Sequence, residues 1–228
     1  MTIGLCLLVN NELEGCKSVI PLLKTDAFDE VFAIDGGSKD GTVEFLRQNG
    51  IDVKLQPKKG YNAAYHYAFE TSKSDALVFF HPKGTIHPDQ TLVFGNFFNE
   101  GYELVIASRI IKNARNEEDD LFFKPRKWFV ISLGLLTGAI WKREGTYIWD
   151  VLHGFRGITR KAFRAIAPQD HGLSMDLEMI ARFYRKKMKR IEFPVQESPR
   201  FSGETHFKPF PTAIKLFKYL LTELRRDD

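Results

Sequence analysis

Residues 3–9 form an unbroken apolar run closed by Asn10-Asn11, and beyond it Leu13, Cys16, Val19, Ile20 and Leu23 recur at helical spacing. A strand followed by a helix is expected, with Pro21 kinking the helix or ending it early. Val31-Phe32-Ala33-Ile34 reads as a buried strand broken by Asp35-Gly36-Gly37-Ser38, and residues 42–47 as a short helix. Further strands are expected at 53–55 and 77–80, with an Ala-rich helix over 62–71 between them. Pro88 suits the first turn of a helix running toward Glu100. Residues 104–107 give another strand, whereas 113–124 carry four consecutive acids and no period, the pattern of a mobile loop. Helices are expected at 128–141 and 174–186, the second with Ser174 as N-cap. A strand over 190–195 precedes an amphipathic helix over 211–226, with Ile214, Phe217, Leu220, Leu221 and Leu224 on one side. Strands alternating with helices predict a parallel sheet in an α/β domain.

At 228 residues, 43% hydrophobic and 27% charged, the chain is long enough for one substantial core. Thirty-three Lys and Arg against 29 Asp and Glu leave +4, too weak and too mixed for a dedicated nucleic-acid binder. Cys6 and Cys16 are the only cysteines, which excludes a disulfide framework or a thiolate zinc site and favours a reducing, cytoplasmic setting. The first residues lack the pattern of a signal peptide. The stretch 128–141, about 14 residues, is short of the ~20 that span a bilayer. With Trp128 and Trp141 at its ends and Lys124, Arg126, Lys127, Lys142 and Arg143 around it, it fits a helix lying in an anionic membrane interface; a buried core helix explains it equally well.

Ligands of open parallel sheets bind outside the carboxyl ends of the strands. Those positions are Asn10-Asn11-Glu12, Asp35-Gly36-Gly37-Ser38, His81-Pro82-Lys83-Gly84 and Ser108-Arg109, all polar, small or charged, as a phosphorylated ligand requires. Asp35 can accept hydrogen bonds from a base or ribose, Gly36 and Gly37 let backbone approach a ligand, and Ser38 and Asp40 suit the cap of the next helix. An ordinary strand-to-helix turn has the same composition. No Gly-x-Ser-x-Gly elbow, phosphate loop or dinucleotide glycine motif occurs.

This segment resembles the family 2 glycosyltransferases, particularly their dolichol-phosphate mannosyltransferase-like branch, and the resemblance continues in order along roughly residues 1–209. Leu8-Val9-Asn10-Asn11-Glu12 is similar to the family's opening strand and turn, without its usual Pro and Tyr. Lys58-Lys59-Gly60-Tyr61-Asn62-Ala63-Ala64 is similar to the stretch opening the helix beside the nucleotide diphosphate, and Ser108-Arg109 to the Gly-Ser-Arg after the fifth strand. Asp150-Val-Leu-His-Gly-Phe-Arg156 resembles Asp, then Ser-Gly-Phe-Arg, and residues 197–205 resemble the Glu, Arg, Gly-Glu-Ser segment.

The resemblance implies an A-type glycosyltransferase fold: one α/β domain with a mostly parallel central sheet and helices on both faces. It would divide into a nucleotide-binding half over 1–110, an acceptor half over 111–209 and a terminal amphipathic helix over 210–228. It implies transfer of a hexose-type sugar from a nucleoside diphosphate to a polyprenyl phosphate at the cytoplasmic membrane face. Asn11, Glu12, Asp35, Gly37, Ser38, Lys59, His81, Lys83 and Arg109 would hold the nucleotide sugar. Arg156 and Arg200 would position the acceptor, with Arg126 a weaker candidate. Asp176 or Glu178 would be the base for a hydroxyl acceptor; two apart on a helix they point about 200° apart, so at most one faces the site. An anionic lipid phosphate needs no strong base. His153 and His171 read as structural histidines.

The sequence departs from the family where Asp-x-Asp would hold magnesium or manganese, for it has His81-Pro82-Lys83 there. Hard cations want oxygen ligands, which this tripeptide's side chains do not offer. Lys83 supplying the missing positive charge, a degenerate and non-catalytic nucleotide-sugar binder, and a transition-metal site of His81, His87 and Asp89 are the readings left open. A glycosyltransferase with a soluble acceptor is a further alternative.

Overall fold

The computed structural model describes residues 1–199 and 209–225, with the side chains of 209–211 excepted. Arg200 and Arg226 therefore lie outside the described residues. The chain order is β1 (Ile3–Val9), α1 (Leu13–Val19), β2 (Glu30–Asp35), α2 (Thr42–Gln48), β3 (Asp52–Leu55), α3 (Tyr61–Thr71), β4 (Ala76–Phe80), α4 (Val93–Asn99) and β5 (Leu104–Ser108). Then follow α5 (Pro125–Trp141), β6 (Arg156–Thr159), α6 (Arg160–Ile166), α7 (Met175–Arg185), β7 (Arg190–Pro194) and α8 (Pro209–Leu224).

The seven strands form one sheet in the order β3-β2-β1-β4-β6-β5-β7. All pairings are parallel except those of β6, which runs antiparallel between β4 and β5. Because side chains alternate across a strand, β1 sends Leu5, Leu7 and Val9 to one face and Cys6 and Leu8 to the other. Both sets are buried. The first face is covered by Cys16, Val19, Leu46, Phe94 and Phe98 from α1, α2 and α4, the second by residues of α3, α5, α6, α7 and α8. Burial on both faces is why these strands read as continuous apolar runs. Pro21 does end α1, which passes into a single 3-10 turn at Ile20–Leu22.

Strand β6 and helix α6 have no counterpart in the sequence reading. The strand is four residues, Arg-Gly-Ile-Thr, with no periodicity to detect; Thr159 closes it and caps α6, its hydroxyl accepting from the Ala162 amide. Helix α5 begins at Pro125, three residues before its apolar stretch, because Glu118 accepts from the Arg126 and Lys127 amides there. The acidic segment before it has no helix or strand, as expected, yet it is tied down: Asp119 accepts from the Asn116 amide and pairs with Lys124 and Lys127, and Arg126 pairs with Glu117.

Four of the five residues expected on one side of the last helix share its exposed side, and Leu220 does not. Helix α8 buries Leu216, Tyr219, Leu220 and Glu223, while Ile214, Phe217, Leu221 and Leu224 are exposed. Glu223 is drawn in by Arg182 and Arg185 of α7, the first pairing through Nε at 3.1 Å.

A candidate active site at the carboxyl edge of the sheet

The loops after β1 and β2 are laced into one surface. Asp35, almost fully buried, accepts from the Gly37 amide at 2.9 Å and from the amide and hydroxyl of Ser38. The Ser38 hydroxyl in turn accepts from the Asn11 amide at 2.8 Å, and the Asn11 side-chain oxygen accepts from the Lys39 amide. Asp40 accepts from the amides of Leu13 and Thr42, so it serves the starts of α1 and α2 together. Ser38 does not cap α2 as expected; Gly41, at φ +92°, occupies the N-cap position. Glu12 is buried and its amide donates to the Thr42 hydroxyl at 3.0 Å. Beside this lattice lies a cleft of about 360 Å³ lined by Asp35, Gly37, Ser38, Val43, Val53 and Leu55. Backbone turns and carboxylate stand at one end, and aliphatic Val43, Val53 and Leu55 with the charged Lys39, Glu44 and Arg47 complete its walls. A cleft of similar size between α3 and α6 is far from these strand ends; there Arg160 caps the carbonyls of Phe69, Ser72 and Ser74, a structural task.

At the end of β4 the chain turns through His81-Pro82-Lys83, the Lys83 amide donating to the His81 carbonyl at 2.8 Å. Two glycines admit this turn. A Cβ on Gly15 would lie 2.2 Å from the Pro82 oxygen and 2.8 Å from the Lys83 Cα, and one on Gly154 would lie 2.5 Å from the Tyr61 hydroxyl and 2.7 Å from the His81 ring. The His81 and Tyr61 rings stack with centroids 6.2 Å apart.

Since β6 runs antiparallel, its first residue, Arg156, sits at the same edge, opposite Phe79 of β4. Arg156 is completely buried. Its guanidinium donates to the backbone oxygens of His153 and Asp176, and its Nε lies 3.1 Å from Asp176 Oδ1. That same Oδ1 accepts from the Tyr61 hydroxyl at 3.1 Å. Burial raises the Asp176 carboxyl above its ordinary value, offset in part by Arg156 and the Tyr61 hydrogen bond. Glu178, by contrast, is fully buried away from this group. It pairs with Arg182 at 2.5 Å and accepts from the Ser174 hydroxyl and the Gln169 amide. Ser174 thus begins α7 as expected, but its side chain serves Glu178 rather than the helix amides.

Arg109 clasps Asp150 through Nε at 2.9 Å and Nη2 at 3.0 Å, with Glu197 3.6 Å away. Burial alone would raise the Asp150 carboxyl, but the Arg109 charge and hydrogen bonds hold it down to about 2. Glu192 accepts from the amides of Trp149 and Asp150, fixing the strap that presents Asp150; burial pushes its carboxyl up to about 7. His153 is structural, as expected. Its Nδ1 donates to the Ala107 carbonyl, and burial with the Arg109 charge holds it down to about 3, neutral.

The carboxyl edge therefore gathers Asn11, Glu12, Asp35, Gly37 and Ser38 on one side and Arg109, Arg156 and Asp176 on the other, with His81 and Lys83 at the end of the strand between. Lys59 is exposed next to Lys58, which pairs with Asp170 at 2.6 Å; His171 pairs with the same carboxylate. Arg126 is engaged by Glu117 and Glu118. His81, His87 and Asp89 do not assemble: His87 Nδ1 accepts from the Asp89 amide, and the described residues contain no group of three His, Cys, Asp or Glu able to hold a metal. Tyr61 and Glu192 were missed as site residues. Tyr61 lies inside a recognised motif, whereas Glu192 sits in a strand where only three-dimensional proximity to residues 149–150 gives it a role.

Residues 13–167 match the family described as glycosyl transferase family 2. Glycosyltransferase AglJ of Haloferax volcanii is 26% identical over 206 residues, covering 87% of this chain and 64% of the relative. The dolichyl-phosphate hexose transferase of the same organism is 26% identical over 219 residues, covering 92% of this chain and 89% of the relative. A low-salt glycan biosynthesis hexosyltransferase, Agl6, is matched over only 51% of its length, so the chain spans less than two thirds of two of these relatives. Among solved structures, glucosyl-3-phosphoglycerate synthase of Mycobacterium tuberculosis superposes with a TM-score of 0.72 at 19% identity, covering all of this chain and 82% of that one. That likeness gives the A-type glycosyltransferase fold, and one crystal of that enzyme holds Mn2+, uridine diphosphate and glucosyl-3-phosphoglycerate.

Proposed function

The chain belongs to glycosyl transferase family 2, and from that membership we propose that it transfers a hexose from a nucleoside diphosphate donor to a polyprenyl phosphate presented at a membrane surface. One observation carries the reading: a buried carboxylate, Asp176, is held by Arg156 and Tyr61 at the same sheet edge as the Asp35 cleft. The name of the Haloferax dolichyl-phosphate hexose transferase, matched along nearly its whole length, supports the lipid acceptor.

In this proposal Asp35 and Glu12 hold the nucleoside, with Asn11, Gly37 and Ser38 shaping the cleft and Lys59, His81 and Lys83 on the phosphate side. Arg109 and Arg156 act at one remove, because their guanidinium groups are engaged by Asp150 and Asp176. The acceptor role of Arg200 rests on its sequence motif. An acceptor phosphate oxygen attacks the sugar carbon in line with the departing diphosphate, which inverts that carbon; the oxygen is already anionic, so no proton must be removed. Asp176 then orients the donor sugar through its carboxylate. A second reading, a hydroxyl acceptor, is favoured by the raised Asp176 carboxyl, the property wanted in a general base.

Labelled transfer from a panel of nucleoside diphosphate sugars, with polyprenyl phosphate in vesicles or soluble sugars as acceptor, tests the proposal. Product in the lipid phase is the expected result. Product only with soluble acceptors selects the second reading, and neither transfer nor donor hydrolysis would make the protein a non-catalytic binder.

A further inference from the structure

We infer that Lys83, rather than a divalent cation, neutralises the donor diphosphate, so that nucleotide binding is independent of metal. The inference rests on the donor-site reading above. A hard divalent cation needs several oxygen ligands, carboxylates foremost. At the carboxyl end of β4, beside the end of β1 and the start of β6, the side chains offered are an imidazole, a pyrrolidine and an ammonium.

Neighbouring acids do not make up the deficit. Asp35 and Asp40 accept from loop amides and hydroxyls, Asp150 is clasped by Arg109, and Asp176 is held by Arg156 and Tyr61. No three His, Cys, Asp or Glu among the described residues converge. The described residues do not fit a magnesium or manganese ion.

They do fit a built-in cation. The backbone of the turn at Pro82 and Lys83 is closely approached by Gly15, and the His81 ring by Gly154. Position 83 is thereby fixed, half-buried, at the strand edge that also carries Asp35 and Asn11. Lysine is a compact point charge with three donors, suited to a diphosphate whose orientation is already set by the nucleoside.

Calorimetric titration with the diphosphates of uridine, guanosine, cytidine and adenosine, each in excess EDTA and in excess manganese, tests this. At least one is expected to bind with a dissociation constant that agrees within about threefold between the two conditions. Lys83→Met, which keeps the stem and removes the charge, should weaken that binding by about tenfold or more, the scale of a hydrogen bond to a charged group. Lys83→Arg should restore most of it, and circular dichroism should be unchanged in both. Binding that requires manganese, or a folded Lys83→Met with wild-type affinity, overturns the inference while leaving the donor site intact. Failure of all four diphosphates under both conditions overturns the donor reading itself, and the role of Lys83 with it.

Discussion

Asp176 and Glu178 stand two residues apart at the start of one helix, and the structure gives them opposite lives. Helical geometry shows from sequence alone that at most one of them faces the site. Glu178 stands one helical turn before Arg182, a spacing legible in the sequence, but that Glu223 joins Arg182 is revealed by no local pattern. Asp176→Asn is expected to lower turnover by about 10²-fold with a hydroxyl acceptor, the lower range for loss of a positioned base, and by less with a phosphate acceptor, for which it only orients the donor sugar. Its melting temperature should fall by less than that of Glu178→Ala, because Asn keeps an oxygen for Tyr61 and Arg156 although it removes the countercharge of the buried Arg156. Glu178→Ala should instead leave a buried arginine short of a partner and cost about 3–5 kcal/mol in urea unfolding. Equal stability losses in both variants would erase the distinction. Arginines show the same limit of sequence reading. Arg109 and Arg156 were found by motif, but that both guanidinium groups are taken up by carboxylates follows from strand order, which brings residues 150 and 176 to the edge where they sit.

Helix α8 turns Ile214, Phe217, Leu221 and Leu224 of its expected stripe outward, Ile214 at 58% and Leu221 at 59% exposed, and buries Leu220 of the same stripe. The helix is apolar around most of its circumference, so spacing alone cannot choose the packed face. The marker of that face is an acid, Glu223, which makes sense only beside Arg182 and Arg185 of α7. Helix α5 divides similarly: Val130, Leu133 and Trp141 are buried, and Trp128, Leu135 and Leu136 are exposed. Beside the stretch 128–141, the exposed stripe of α8, with Lys215, Lys218 and Arg225 on the same helix or at its end, is a second candidate for the membrane contact of the proposed function. Wild-type protein should float with anionic liposomes, less so as salt screens the basic residues beyond ~8 Å. Phe217→Ser with Leu221→Ser should abolish flotation without changing the circular dichroism spectrum. Leu220→Ala, on the inner face, should destabilise the fold by about 2–5 kcal/mol. A wild type that never floats would remove the membrane from the proposal.

For the molecule as a whole, the α/β class was legible because β1, β2, β4 and β5 are apolar runs long enough to register, each followed by polar turn residues. The antiparallel β6 was not, since a four-residue strand begun by a buried arginine has no signature. That strand joins β4 to β5 and so unites the two halves of the sheet. Glu192, in the edge strand β7, makes the stability of this assembly depend on pH. Its carboxyl is raised by burial to about 7, so the folded state holds a proton that the unfolded state releases near its ordinary value. The stabilisation is complete below about 4.3 and is lost as pH rises toward 7. Thermal unfolding should therefore shift to lower temperature between about pH 5 and 7.5, and Glu192→Gln should flatten that slope; an unchanged slope would assign it to other groups. The outward apolar face of α8 has a kinetic consequence. On the proposed reading, in which the protein rests on the bilayer, it would meet a lipid acceptor by lateral diffusion, and its rate would follow the acceptor's mole fraction in the membrane. Adding inert phospholipid at constant acceptor per volume would slow turnover, a surface dilution that no soluble acceptor would undergo.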